Sequence, residues 1–226
     1  MDHNELTTAT TATIFDTPTS PCTTYYRTWG KRAFDITVAL ALLPVIVPVI
    51  GVIALAIRSR DASALFGHTR IGQNGRKFRC LKIRTMVPDA ERKLVAYLSA
   101  HPDAADEWER TQKLTNDPRI TPVGRFLRKT SLDELPQIWN VIMGDMSFVG
   151  PRPVTEGELD KYGMYANTYL SMKPGITGEW QVKGRSDGCY VKRREMDVAY
   201  SKEISMLKDI KLMLRTVLVV VRPTGS

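Results

Sequence analysis

The sequence predicts an α+β fold, mainly helical, with a short β-hairpin and an apolar membrane helix ahead of a basic domain. Three observations predict it. From Ala33 to Ile57 only Asp35 and Thr37 are clearly polar. Asn74-Gly75, a strong two-residue hairpin signal, is flanked by Arg70-Ile71 and by a run in which Phe78 and Cys80 alternate with basic residues. Much of the remainder shows helical periodicity punctuated by capping and breaking residues.

The chain has 226 residues, which suits one domain with a short appendage, and 43% of them are hydrophobic, enough for a core. The net charge of +8 calls for an anionic partner: nucleic acid, an anionic membrane surface or a phosphorylated substrate. A merely solvated basic surface is the alternative. The basic clusters lack interleaved aromatic platforms, which argues against nucleic acid. Cys22, Cys80 and Cys189 are far apart without metal-ligand spacing, so they read as reduced thiols and exclude a disulfide framework.

Residues 1–30 are Thr-rich and lack apolar periodicity, and they read as a disordered tail, not a secretory signal. The apolar run within 31–60 is about 25 residues, long enough to cross ~30 Å of hydrocarbon as a helix. Pro44 and Pro48 each remove a backbone donor mid-segment and predict a bend or break there. Lys31 and Arg32 precede the run, and Arg58 and Arg60 come after it. A spanning helix has one basic, cytoplasmic end, whereas two basic ends suit a segment that enters and leaves on the same side. Spacing alone leaves both a kinked spanning helix and a re-entrant one open. Residues 61–226 form the globular domain.

Within that domain, Ala64 to Met86 reads as β structure, with Arg79, Lys82 and Arg84 making it cationic. Pro88 to Leu98 and Ala104 to Leu114 read as amphipathic helices, and Val123 to Lys129 as a short basic one. Ser131 and Glu134 have capping-box spacing, which predicts a helix from Leu132 to about Met143 that buries Leu135, Ile138, Trp139 and Ile142. Asp133 and Glu134 then fall in its first turn, where the helix dipole favours carboxylates and nearby phosphate. Gly144 to Pro153 reads as a loop in which two prolines aim Arg152, and Lys173 to Gly178, continuing to Gln181 and Arg185, as a second Gly-rich loop. Glu203 to Val221 is an amphipathic helix with an apolar stripe of Leu207, Ile210, Leu214, Val217 and Val221. Core packing is expected for its first half, and membrane contact for its last turns.

Paired carboxylates can bind a divalent cation, serve as acid or base, or attack as a nucleophile. Arginines on separate loops suit bidentate recognition of phosphate. A membrane anchor beside such a cluster implies a lipid substrate. From these residues alone the chain is a membrane-associated protein that handles phosphate, although an Asp-Glu pair in a first turn can also be simple helix capping.

The stretch SLDELPQIWNVIMGDMSFVGPRP, from Ser131 to Pro153, resembles the signature of the bacterial sugar transferase family, the monotopic phosphoglycosyl transferases. The blocks KRAFDI, TRIGQNGRKFRCLKIRTM, NDPRITPVGRFLRKTSLDELPQ and KPGITGEWQVKGR keep the family's order, so the resemblance covers about Lys31 to Val221. Among its members the chain is most similar to short forms that begin exopolysaccharide repeat units, including succinoglycan-type galactose-1-phosphate transferases.

The resemblance implies transfer of hexose-1-phosphate, galactose favoured over glucose, from a UDP-sugar to undecaprenyl phosphate with release of UMP. Asp133 would be the nucleophile that forms a covalent phosphosugar–aspartate, and Glu134 would help bind Mg²⁺. Arg128, Arg152 and Arg185 match positions that hold phosphate or nucleotide, and Lys82 a basic residue near the centre. The family's membrane segment is a re-entrant helix–break–helix with its break at Pro48 and its catalytic part on the cytoplasmic face of the bacterial inner membrane. Here Val47 stands where the family often has Ser, which leaves the geometry of the break open. Implied partners are the UDP-sugar, the polyprenyl phosphate and membrane lipid. A homo-oligomer would form through the membrane segment or the last helix, though no residue specifies one. Two other functions remain: a membrane glycosyltransferase that transfers the sugar alone and releases UDP, and a membrane-anchored basic adaptor.

Overall fold

The computed structural model describes residues 25–57, 63–111, 114–183 and 190–221. Helix α1, Lys31–Ala56, is preceded by a π-helical turn, Tyr26–Gly30, so the helical rod begins within the segment read as a tail. Pro44 and Pro48 lie inside α1, and the expected interruption is a proline-bearing stretch of one helix. Each proline removes one donor, which bends a helix without necessarily ending it. Arg58 and Arg60 lie outside the described residues.

Polar ties anchor the start of α1. The Arg32 guanidinium donates to the carbonyls of Val141 and Ile142. Asp35, only 2% exposed, accepts the Ser147 hydroxyl and the Phe148 N–H, both at 3.0 Å. Lys31, Tyr26 and Tyr200 all converge on the buried Asp209 carboxylate. At the other end, Ala56 and Ile57 line a hollow with Ser63, Arg84, Met86 and Thr121. The start of α1 is thus bonded to the domain, and its end borders a hollow in the same domain. Between them Leu40, Val45, Val47, Val52 and Leu55 are exposed.

Strands β1, Leu65–Ile71, and β2, Lys77–Ile83, form the predicted antiparallel hairpin. Asn74 (φ 56°) and Gly75 (φ 77°) occupy the left-handed positions that the tight turn requires. Phe78 and Cys80 are buried and Lys77 and Arg79 exposed, as a period of two demands.

The two surface helices are α2, Ala90–Ala100, and α3, Pro102–Thr111. Helix α4, Pro122–Thr130, has Thr121 as its N-cap, accepting from the Gly124 N–H. A Cβ on Gly124 would lie 2.1 Å from the Thr85 carbonyl oxygen, so only glycine lets α4 sit this close to the strand exit.

The capping box at Ser131 does not form. Ser131 is left-handed (φ 57°) and closes α4, and its side chain caps no helix beyond it. Leu132–Glu134 is a 3₁₀ turn, and α5 begins only at Gln137 and ends at Met143. Two features oppose a continuous helix here: Ser131 is left-handed, and Pro136, without an N–H, cannot bond back to Leu132. The face is also corrected. Ile138 is buried as expected, Leu135 and Ile142 partly so, but Trp139 is 54% exposed.

The two expected loops each contain a strand. β3, Ser147–Val149, pairs in parallel with β4, Gly175–Thr177. The segment between carries α6, Glu156–Leu159, a 3₁₀ stretch, Asp160–Tyr165, and α7, Ala166–Leu170. The chain ends in α8, Glu179–Lys183, α9, Tyr190–Lys202, and α10, Met206–Val221.

On α10 the stripe read from the sequence is not the buried one. Leu207 and Leu214 are exposed and Ile210 only partly buried, Asp209 and Leu212 are buried, and Val217 is exposed in the turns where core packing is not expected. Thr216 bonds Thr177 on this inner side. The main core joins Phe78 and Cys80 of β2, Ile138 and Val141 of α5, Phe148 and Val149 of β3, and Tyr200 and Leu212, with Phe34, Val38 and Ile46 of α1 packed against it.

Replacing Asp35 with Ala leaves the buried Phe148 N–H without its acceptor, a loss of about 2 kcal/mol. The Asp35→Ala protein should melt roughly 5 °C lower in detergent, with Asp35→Asn falling less because an amide oxygen can still accept. Melting of Asp35→Ala within a degree of wild type would refute the anchoring role.

Candidate active site

The site is assembled where β2 passes the 3₁₀ turn that carries the two carboxylates. Lys82 shares the inward face of β2 with Phe78 and Cys80, so its side chain is not a solvated strand position. Its Nζ lies 2.7 Å from Glu134 Oε1 and 3.9 Å from Asp133 Oδ2. Asp133 is buried, at 7% exposure, and Glu134 partly buried.

Asn140, which is not among the residues that the sequence singles out, sets this spacing. Its side-chain oxygen accepts the Leu81 N–H at 3.0 Å, and its amide donates to the Arg79 carbonyl at 2.9 Å. The carboxamide therefore acts toward β2 as a neighbouring strand would. A polar residue between Trp139 and Val141, on a helix otherwise read as apolar, was the available signal.

Arg128, near the end of α4, donates from Nε to the Thr85 hydroxyl at 2.8 Å. The left-handed bend at Ser131 turns the chain back, and the Arg128 charge acts on Asp133. Arg152 approaches from the opposite side, its guanidinium 4.0 Å from Glu134 Oε1. More than its flanking prolines holds it. Gly150 N–H bonds to Thr177, Gly175 N–H to Pro151, and Arg193 donates to the Arg152 carbonyl. On its far side Val154 bridges to Ile71 of β1. The structure thus brings together Asp133, Glu134, Lys82, Arg128 and Arg152. Arg185 lies outside the described residues.

Burial pushes the Asp133 carboxyl above the usual aspartate range, aided by the Glu134 charge and opposed by Lys82 and Arg128. Among the described residues two carboxylates face three cations, leaving net positive charge to receive a polyphosphate. Among the described residues no group of three or more His, Cys, Asp or Glu could form a protein cage for a metal. An adjacent Asp and Glu do fit Mg²⁺, which takes one or two carboxylates and completes its shell with water and substrate phosphates.

Comparison with known proteins points in the same direction. The profile described as bacterial sugar transferase matches residues 26–223. The UDP-galactose-lipid carrier transferase of Erwinia amylovora is 47% identical over 87% of this chain and 41% of its own length. The exopolysaccharide production protein ExoY of Sinorhizobium fredii is 44% identical over 87% of this chain and 88% of its own. The undecaprenyl-phosphate galactose phosphotransferase of Salmonella typhimurium is 44% identical over 87% of this chain and 41% of its own. The chain thus spans less than half of the Erwinia and Salmonella proteins and most of the Sinorhizobium one.

The electrostatics predict two opposite shifts. Lys82 favours the ionised Asp133, so Lys82→Met should raise the Asp133 pKa further. Glu134→Gln removes a like charge and frees Lys82, so it should lower it. Carboxyl ¹³C titration of Asp133 in the three proteins reads both directions, and shifts of the same sign would refute the arrangement.

Proposed function

The chain belongs to the bacterial sugar transferase family, and from that premise we propose that it transfers hexose-1-phosphate, galactose favoured, from a UDP-sugar to undecaprenyl phosphate as the first membrane step of exopolysaccharide synthesis. The observation that carries this reading is the buried Asp133 beside Glu134, under cations from three separate elements. The Erwinia and Salmonella relatives are both named for galactose.

In the proposed reaction a carboxylate oxygen of Asp133 attacks the phosphorus that bears the sugar. The bond from that phosphorus to the bridging oxygen breaks, and UMP leaves with the electron pair. The resulting acyl phosphate is attacked by a phosphate oxygen of the polyprenyl carrier. That step forms the polyprenyl diphosphate sugar and returns Asp133 as a carboxylate. Phosphoryl transfer depends on position and charge neutralisation. Lys82 and Arg152, both on Glu134, and Arg128, fixed to Thr85, supply positive charge without rearrangement at the moment of transfer. When bound, Mg²⁺ held by Glu134 and the substrate phosphates would neutralise charge on the diphosphate. Arg185 remains a proposed contact to nucleotide or phosphate.

We further propose that α1 is re-entrant in the bacterial inner membrane, with the catalytic domain on the cytoplasmic face. The start of α1 bonded to the domain and its end bordering a hollow in that domain support this, as do the exposed apolar residues between them and the Pro44 and Pro48 positions where a bend is easiest. In a variant with the native cysteines replaced, Thr28→Cys and Ser63→Cys should both label only from the cytoplasmic side. Periplasmic labelling of either one would mean that the helix spans.

Purified protein incubated with UDP-galactose, undecaprenyl phosphate and Mg²⁺ should release UMP, and Asp133→Asn should lower turnover by at least about a thousandfold while melting as wild type does. Release of UDP would replace this mechanism with transfer of the sugar alone. Unchanged turnover in Asp133→Asn would remove Asp133 as the nucleophile.

A further inference from the structure

A second cationic site lies at the foot of α1, and the Asp133–Glu134 centre does not use it. A cavity of about 140 Å³ is walled by Arg27, Lys31, Arg32 and Lys173, with Ser171 and Tyr200 adding hydroxyls. A cavity of about 150 Å³ accommodates a benzene ring, so a phosphate group fits. None of Lys82, Asp133, Glu134, Arg128 or Arg152 lines it.

Its charges are unequally met. Lys31 is neutralised by Asp209. Arg27 donates to the Ser201 carbonyl and Arg32 to those of Val141 and Ile142, bonds that orient the guanidinium groups without cancelling their charge. Among the described residues Asp35 is the one carboxylate in the wall, and it is engaged by the Ser147 hydroxyl and the Phe148 N–H. Lys173 makes no hydrogen bond or ion pair among the described residues. Its ammonium and a nitrogen of Arg32 both come within 3.6 Å of the point where a side chain on Gly144 would begin. Burial, with the Arg32 charge beside it, holds Lys173 below the ordinary lysine range. The Asp35 and Asp145 carboxylates offset part of that effect without bonding the ammonium, and a half-buried ammonium facing a guanidinium without a hydrogen-bonded acceptor is an arrangement that an anion completes.

We infer that this cavity binds a phosphate group, gripped by Lys173 and Arg32 with Arg27 at its rim. Donors from two guanidinium groups and an ammonium approach from several directions, which suits an anion with several oxygens better than a flat carboxylate, while the Ser171 and Tyr200 hydroxyls already donate to Thr168 and Asp209. The cavity opens beside the first turns of α1, just before the exposed apolar residues begin at Leu40, and Trp29 next to it is 74% exposed. An exposed tryptophan at the start of such a helix is suited to headgroup depth. The phosphate of an anionic phospholipid reaches this position, and so does free phosphate. The site is independent of the transfer chemistry and is tested without turnover.

The full chain in detergent is titrated with dioleoyl-phosphatidylglycerol, with dioleoyl-phosphatidylcholine and with inorganic phosphate, and the melting temperature is monitored. Phosphatidylglycerol should stabilise the wild type saturably and more strongly than phosphatidylcholine. Lys173→Gln should raise the half-saturating concentration about tenfold, the loss of one charged hydrogen bond. Lys173→Arg should keep it within about twofold, because the charge remains. If inorganic phosphate saturates the same response, the site takes free phosphate; if only phosphatidylglycerol does, it takes the lipid headgroup. The inference is overturned if neither stabilises the wild type, if Lys173→Gln responds as the wild type does, or if Lys173→Arg loses as much as Lys173→Gln.

Discussion

The Asn140 carboxamide is the contact on which the geometry of the reactive cluster depends. It bonds an N–H and a carbonyl of β2 from within α5, while its own backbone carbonyl receives N–H groups from Gly144, Asp145 and Met146. One residue thereby locks the strand that carries Lys82 to the helix just beyond Asp133 and Glu134, and fixes the turn that leads into β3. Neither strand pairing nor helix packing alone would set that distance. A two-stranded hairpin is marginal by itself, and β2 gains in Asn140 a neighbour of the kind a third strand would provide.

The Arg152 side of the site depends on a second constraint. β3 and β4 are only three residues each, yet their parallel pairing locks Gly150 and Pro151 against Gly175 and Thr177. The same strand ties to α1 through Asp35 and to α10 through Tyr200, which reaches both Asp209 and the Val149 carbonyl. The apolar helix is therefore not appended to the domain. Its first two turns form part of the scaffold that carries the arginine loop, because Asp35 holds the strand that leads into it.

Much of this was legible in the residues. Asn74-Gly75 named a hairpin because so few residue pairs accept two successive left-handed conformations, and the long apolar run named α1. Asp133, Glu134, Lys82, Arg128 and Arg152 were singled out and are found in one place, though the arrangement that joins them was not readable. The Ser131 capping box does not form because Ser131 takes the left-handed conformation that closes α4, and Pro136 removes a donor from the first turns of the helix the motif would start. β3 and β4 are not legible in the sequence because a three-residue strand has no room to show a period. Their pairing joins segments far apart in sequence, which glycines and prolines disguised as loops.

The errors at Trp139 and on α10 share one physical cause. An apolar stripe at helical spacing shows that a face avoids water, but it does not say whether protein or lipid covers it. For α10 the protein-facing side carries Asp209 and Thr216, polar residues that find partners in Tyr200, Lys31 and Thr177, while Leu207, Leu214, Val217 and Leu218 remain outside. For α5 the inward side carries Asn140, and Trp139 and Met143 remain outside. In water such exposure would be an aggregation hazard. Beside a bilayer it is the expected inversion, with hydrogen-bonded polar groups kept in the protein interior and apolar side chains turned to lipid. The outer residues of α1, from Leu40 to Leu55, obey the same rule. On α1, α5 and α10 alike, the side chains left outside are apolar while the polar ones turned inward are hydrogen-bonded, so the pattern belongs to the domain and not to one helix.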